Sequence, residues 1–248
     1  MAGRELGILF RKEWRQLLRS RGAVLTALIL PAIVLLLVPL TQILAVGALP
    51  TKELPPGINL PPGLAHLKDD PAAILHFVLP LMVALGGLIV PMVSATYTIV
   101  AEREARTLEL LVSLPVAINQ VVTAKVLALL ALTVGITLPM FSITAAALLW
   151  TGNAGAGFVF ALVLLLLAAL AFSTTGALLI SLLAKDFRTA NNLSGALLLP
   201  AIFLMVGLLS LVPSALGAAL VATALLAVAS IACAFVSLKV VTFERLLR

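Results

Sequence analysis

Six runs of at least 22 residues in this 248-residue chain contain no Asp, Glu, Lys or Arg: Gly22 to Val46, Ala72 to Val100, Val126 to Trp150, Gly157 to Ala184, Asn191 to Val212 and Ser214 to Leu238. An apolar stretch longer than about 18 residues is long enough to cross the hydrocarbon core of a bilayer as a helix. A backbone in lipid must satisfy its own hydrogen bonds, so the choice is between helices and a closed barrel. Strands of about ten alternating residues are absent, which excludes the barrel. The expected fold class is therefore all-α, a polytopic membrane protein with six transmembrane helices. Composition agrees, with 62% hydrophobic and 10% charged residues against about 45–50% apolar in soluble domains.

Charge sets the expected orientation. Of the 16 Lys and Arg residues, six precede the first run (Arg4, Arg11, Lys12, Arg15, Arg19, Arg21) and two, Lys52 and Lys68, lie between runs one and two. Arg103, Arg106 and Lys125 follow run two, Lys185 and Arg188 follow run four, and Lys239, Arg245 and Arg248 end the chain. Taking alternate segments together puts fourteen cations on one side and two on the other. The positive-inside rule then places both termini in the cytoplasm of a multi-pass protein of the cell's inner (plasma) membrane. The +6 net charge matches a face beside anionic lipid and calls for no nucleic-acid partner.

The segments outside the runs divide the chain into an amphipathic surface helix over 1–21, a permease domain over 22–242 and a cytoplasmic tail over 243–248. In the first, Leu6, Phe10, Trp14, Leu17 and Leu18 recur at helical spacing, with Arg11, Lys12, Arg15 and Arg19 on the other face. The basic stretch is too long for a signal peptide and no small-residue cleavage site follows it. The outer loop, 47–71, repeats Leu-Pro-Pro-Gly at Leu54–Gly57 and Leu60–Gly63, which favours an extended connector.

The most informative segment is 101–116. Glu102, Arg103, Glu104, Arg106 and Glu109 place five charges within eight residues directly after a long apolar run. Burying such a cluster in lipid would cost on the order of ten kcal/mol, so it lies outside the hydrocarbon. Ala105, Leu108, Leu111 and Val112 recur on one side of a helix, and Pro115 disfavours helical geometry at Leu114. The expectation is a short cytoplasmic helix with one apolar and one charged side, suited to docking another protein.

"AEREARTLELLVSLPVAINQVVTAKVLA", Ala101 to Ala128, resembles the segment between the second and third spans of type-2 ABC transporter permeases. Glu102, Glu104, Thr107, Leu108, Glu109, Leu111, Ser113, Pro115 and Lys125 match the family pattern, which departs at Arg106, where Gly is usual. Arg11 to Pro31 is similar to the family's N-terminal connecting helix and first span, and Lys185 to Pro200 to its connection between spans four and five. The resemblance implies an exporter permease coupled to a cytoplasmic ABC ATPase through Glu102, Arg103, Glu104, Arg106, Thr107, Leu108, Glu109 and Leu111. It also implies a secondary cytoplasmic contact at Lys185, Asp186, Phe187 and Arg188, and a second permease subunit, identical or paralogous. ATP and Mg would be bound by the ATPase partner, and no cofactor by this chain.

Energy supply separates the alternatives. No carboxylate lies in any run, and G-x-x-x-x-G-K-[ST] does not occur, so neither a proton relay nor ATP binding is encoded here. An ATPase partner or a sodium-coupled carrier with neutral oxygen ligands both remain open. His66 and His76 are the two histidines; His76 is expected in a hydrogen-bonding or interfacial role, rather than as a relay, near the outer end of span two. Without H-E-x-x-H or G-x-S-x-G, the chain is expected to be no enzyme, and the lone Cys233 holds no metal. Intramembrane hydroxyls at Ser94–Thr98, Ser142, Thr144 and Ser173–Thr175 are expected mainly to bond to helix backbone. Thr96, Tyr97 and Thr98 are the pathway candidates, compatible with an amphiphile, a drug-like compound, a lipid or a small cation. Pro31, Pro39, Pro80, Pro91, Pro139 and Pro200 are expected to loosen or kink the spans. Gly86, Gly87, Ala218 and Ala222 are candidates for close helix contacts.

Overall fold

The structure, a computed structural model, describes residues 2–19, 21–48, 71–95, 118–184, 187–212 and 214–240. All its regular elements are helices. The chain begins with α1 (Ala2–Arg19), followed by a first span made of α2 (Arg21–Pro31), a π-helical stretch (Ala32–Leu37) and α3 (Val38–Ala48). Then come α4 (Pro71–Ala95), α5 (Ile118–Thr151), α6 (Ala156–Leu183), α7 (Phe187–Leu211) and α8 (Ala215–Val240). Six helical stretches are long and apolar enough to cross a membrane: Ala27–Val46, Ile74–Val93, Thr123–Thr151, Ala156–Ser181, Arg188–Leu211 and Ala215–Ser237. Each overlaps one of the apolar runs, so the chain is an all-α, multi-pass membrane protein. The Pro-rich loop lies, in its positions 49–70, outside the described residues.

Helix α6 is the hub of the bundle. Leu162, Leu165, Leu166, Ala169 and Leu170 are fully buried, with α4 and α8 packed against it. Water does not drive helices together inside lipid, so close van der Waals fit and small residues must do so. On α8, Ala218, Ala219 and Ala222 are fully buried. On α4, a Cβ added at Gly87 would stand 2.6 Å from the Ala169 Cβ and 3.2 Å from the Leu166 carbonyl oxygen. A glycine there is required by the closeness of the two backbones. At Gly86 an added Cβ would meet the Leu35 side chain at 2.6 Å, so the first span uses the neighbouring glycine.

The prolines act less uniformly than the sequence suggests. Helices continue through Pro80, Pro91, Pro139 and Pro200, whereas Pro31 is followed by the π-helical stretch, closed by the Val38 N–H donating to the Ile33 carbonyl. Such a stretch disturbs the regular pairing of carbonyls. The Leu35 carbonyl accepts a 2.6 Å hydrogen bond from Thr144 Oγ1 of α5. One layer thus ties span one to α4 through Leu35 over Gly86 and to α5 through Thr144.

The turn between α5 and α6 is short. Gly152 has φ +70°, a left-handed conformation that glycine adopts without a Cβ penalty, and its N–H donates to the Leu149 carbonyl. Beside it, His76 Nε2 lies 3.2 Å from the Asn153 carbonyl oxygen, and the His76 ring meets the edge of Phe158 at 4.8 Å between centroids. Of the two roles expected of it, His76 takes the hydrogen-bonding one. At α8, Ser214 caps the first turn by accepting from the Gly217 N–H.

Candidate coupling site

The helix ends that flank the charged segment come together. Leu17 of α1, Met92 near the end of α4, Ala128 and Leu129 of α5, Ala177, Ile180 and Ala184 at the end of α6 and Ala190 of α7 form one buried apolar cluster, with Phe10 and Trp14 packed on it. Segment 96–117 leaves α4 and enters α5 at this end, and residues 185–186 connect α6 to α7 at the same end. Helix α1 packs chiefly on α5 at this end.

The anticipated coupling residues Glu102, Arg103, Glu104, Arg106, Thr107, Leu108, Glu109 and Leu111 lie outside the described residues, as do Thr96, Tyr97, Thr98, Lys185 and Asp186. Phe187 is the first residue of α7, and Arg188 beside it is exposed.

Helix α1 has the amphipathic character expected of it, but its apolar stripe packs on protein. Leu17 is buried and the Phe10 and Trp14 rings stack at 6.1 Å. Leu18, assigned to the same stripe from spacing, is half-exposed instead. It falls about 100° around the helix from Leu17, beyond the edge of the packed face. Arg11, Lys12, Arg15 and Arg19 are all exposed.

One charge stands on the buried side. Glu13 is 3% exposed, and its Oε2 lies 3.0 Å from Lys125 Nζ of α5, a residue 8% exposed. The other carboxylate oxygen meets Lys12 Nζ at 3.3 Å, on a side chain that is half in solvent. The pair joins positions 112 residues apart in sequence. Removing one partner of such a buried pair costs about 3–5 kcal/mol, because a charge is left stranded, while replacing both by apolar residues is often neutral. Sequence reasoning missed Glu13. Its signal was present: Glu13 sits four residues before Leu17 and three after Phe10, a lone acid within the apolar stripe.

The hydroxyls inside the spans mostly serve the fold. Thr133, Thr137, Thr174, Thr175, Ser181 and Ser194 each donate to a carbonyl three or four residues earlier on the same helix. Ser173 donates across to the Leu88 carbonyl of α4, and Thr175 lies 3.3 Å from Ser230 Oγ of α8. These bonds realise the structural role expected of Ser173–Thr175 and Thr144.

A sequence model of the ABC-2 family transporter proteins matches residues 8–222, from within α1 into α8. The chain belongs to the ABC-2 transporter family. It is a type-2 ABC transporter permease, so the six helices are the membrane part of an ABC transport system and the chain is a transport subunit. The matched region contains both Glu13 and Lys125 and the whole charged segment between α4 and α5. Comparison with individually curated proteins finds no match.

Proposed function

We propose that this permease is the membrane subunit of an ATP-driven exporter, and that a cytoplasmic ABC ATPase docks on Glu102 to Leu111. The observation that carries this reading is the convergence of α1 with the ends of α4, α5, α6 and α7, at the end where the densest charge cluster of the chain joins α4 to α5. A docked ATPase would push on the ends of two spans at once. Lys185 to Arg188 supply a second contact at the same end. ATP and Mg bind the ATPase, and the permease holds no cofactor of its own. Two permeases, identical or paralogous, line one pathway in the inner membrane, with both termini cytoplasmic as the charge distribution indicates. Thr96, Tyr97 and Thr98, directly before the charged segment, are its candidate pathway residues.

The test is to recover the permease with its ATPase partner from gently solubilised membranes and reconstitute both in nanodiscs. Replacing Glu102, Glu104 and Glu109 by Ala is expected to abolish most of the permease-dependent stimulation of ATP hydrolysis while the chain still inserts and melts normally. Unchanged stimulation in a fully assembled complex refutes the docking role. Uptake or release by vesicles holding the permease without any ATPase would instead identify an ion-coupled carrier.

A further inference from the structure

Helix α1 has two ways of being held on the bundle. Apolar contacts of Phe10, Trp14 and Leu17 with Ala128, Leu129 and their neighbours supply attraction, but such surfaces repack with modest penalty when one slides over the other. The Glu13–Lys125 contact is different. A buried ion pair tolerates a narrower range of geometries than an apolar contact, and sliding α1 along α5 gives up the 3.0 Å contact between Glu13 and Lys125. Desolvation offsets much of their attraction, so the pair adds little over two apolar residues of similar size. What it adds is position. Lys125 lies seven residues, about 10 Å, beyond the start of α5 at Ile118, in the helix that the charged segment enters.

We propose that Glu13 and Lys125 form a register lock, which makes α1 and the first turns of α5 one rigid body, so that a displacement of segment 102–111 carries α1 with it. The second half of this statement rests on the coupling reading above; the first does not. Lys12, bound to the other oxygen of the same carboxylate, holds the acid from the exposed side. Arg11, Arg15 and Arg19, exposed at four-residue intervals, would move with the lock as one cationic row.

The lock is tested on the permease in nanodiscs, in a Cys233→Ser background with spin labels at Arg15→Cys and Leu127→Cys, both exposed positions. Pulsed electron paramagnetic resonance then reads the distance between α1 and α5. The wild-type pair is expected to give one narrow distance. Glu13→Gln, which removes the carboxylate charge that Lys125 meets, is expected to lower the melting temperature by about 10 °C. Glu13→Met combined with Lys125→Met is expected to melt within a few degrees of the wild type yet give a broad distance distribution. Together with the ATPase, this double variant is expected to lose at least fivefold in stimulated hydrolysis.

A folded Met/Met chain that keeps the narrow distance overturns the lock, whatever its ATPase rate. One that does not fold overturns the assignment of register in place of stability. A broadened distance with full stimulation overturns the claim that α1 travels with the segment. Failure of the coupling reading itself is seen separately, in the Glu102, Glu104 and Glu109 variant, and leaves the distance measurement on the permease alone untouched.

Discussion

Gly87→Ala is the substitution whose cost follows most directly from the structure. The added Cβ would lie 2.6 Å from the Ala169 Cβ and 3.2 Å from the Leu166 carbonyl oxygen, whereas carbon pairs at optimal separation stand about 3.5–4.0 Å apart. Two backbones resist the intrusion, so α4 and α6 must separate locally by about 1 Å. A gap of that size forfeits about a quarter to a half of each dispersion contact it opens. With Leu166, Leu88 and Leu170 buried in the surrounding layers, the loss should fall at about 1–3 kcal/mol, the usual range for overpacking. For a chain of this size that is roughly 3–10 °C in melting temperature, read by scanning fluorimetry in nanodiscs. Ala169→Gly removes the facing Cβ and should restore part of the loss. Gly135→Ala is the control, because nothing lies within 4 Å of a Cβ there. A Gly87→Ala protein that melts with the Gly135→Ala protein refutes the argument that backbone proximity holds α4 to α6.

Two further substitutions address single contacts. Thr144→Val keeps the shape but removes the donor to the Leu35 carbonyl; a loss of about 0.6 to 1.7 kcal/mol is expected, seen as a melting temperature lower by a few degrees, with Thr144→Ser close to the wild type. Gly152→Ala places a Cβ in a left-handed turn and should cost about 1–2 kcal/mol, measured in the same melting assay, while Gly152→Asn should cost less because Asn tolerates that conformation.

The six spans were legible because lipid imposes one requirement on all of them, about twenty consecutive apolar residues. Their ends were less so. Helix α5 starts at Ile118, eight residues before the apolar run that begins at Val126, since hydropathy records where lipid begins and a helix can continue past it. That extension contains Lys125, which is why a residue noted for its likeness to a family pattern proved to be buried in an ion pair. Glu13 escaped notice for a related reason: periodicity treats one acid in an apolar stripe as noise, and its partner is 112 residues away. Glycines show the same limit. Gly86 and Gly87 stand at close contacts and Gly135 and Gly207 face open space, a difference set by neighbouring helices that spacing alone does not reveal. The proposed coupling residues 102–111 lie outside the described residues, so for them sequence pattern and the placement of the flanking helices carry the argument.

Packing quality divides the bundle in a way that bears on how force enters it. Spans two and four are each 56% buried over their most apolar windows, against 33% for span three and 22% for span one. Helix α4 is seated on α6 through Gly87 and Ala169, and α6 meets α8 through a run of buried alanines, which leaves α4 and α6 little freedom to shift against each other without opening gaps. Helix α5 is attached differently. It is joined to α6 by the tight turn at Gly152, to span one by the Thr144 hydroxyl and to α1 by the Glu13–Lys125 pair. Contacts of this kind fix position at single points, where interlocked surfaces fix it over a whole face. The charged segment connects the end of α4 to the start of α5. Under the coupling proposed above, a load on that segment enters between the tightly packed α4 and the start of α5, the helix to which α1 is fastened.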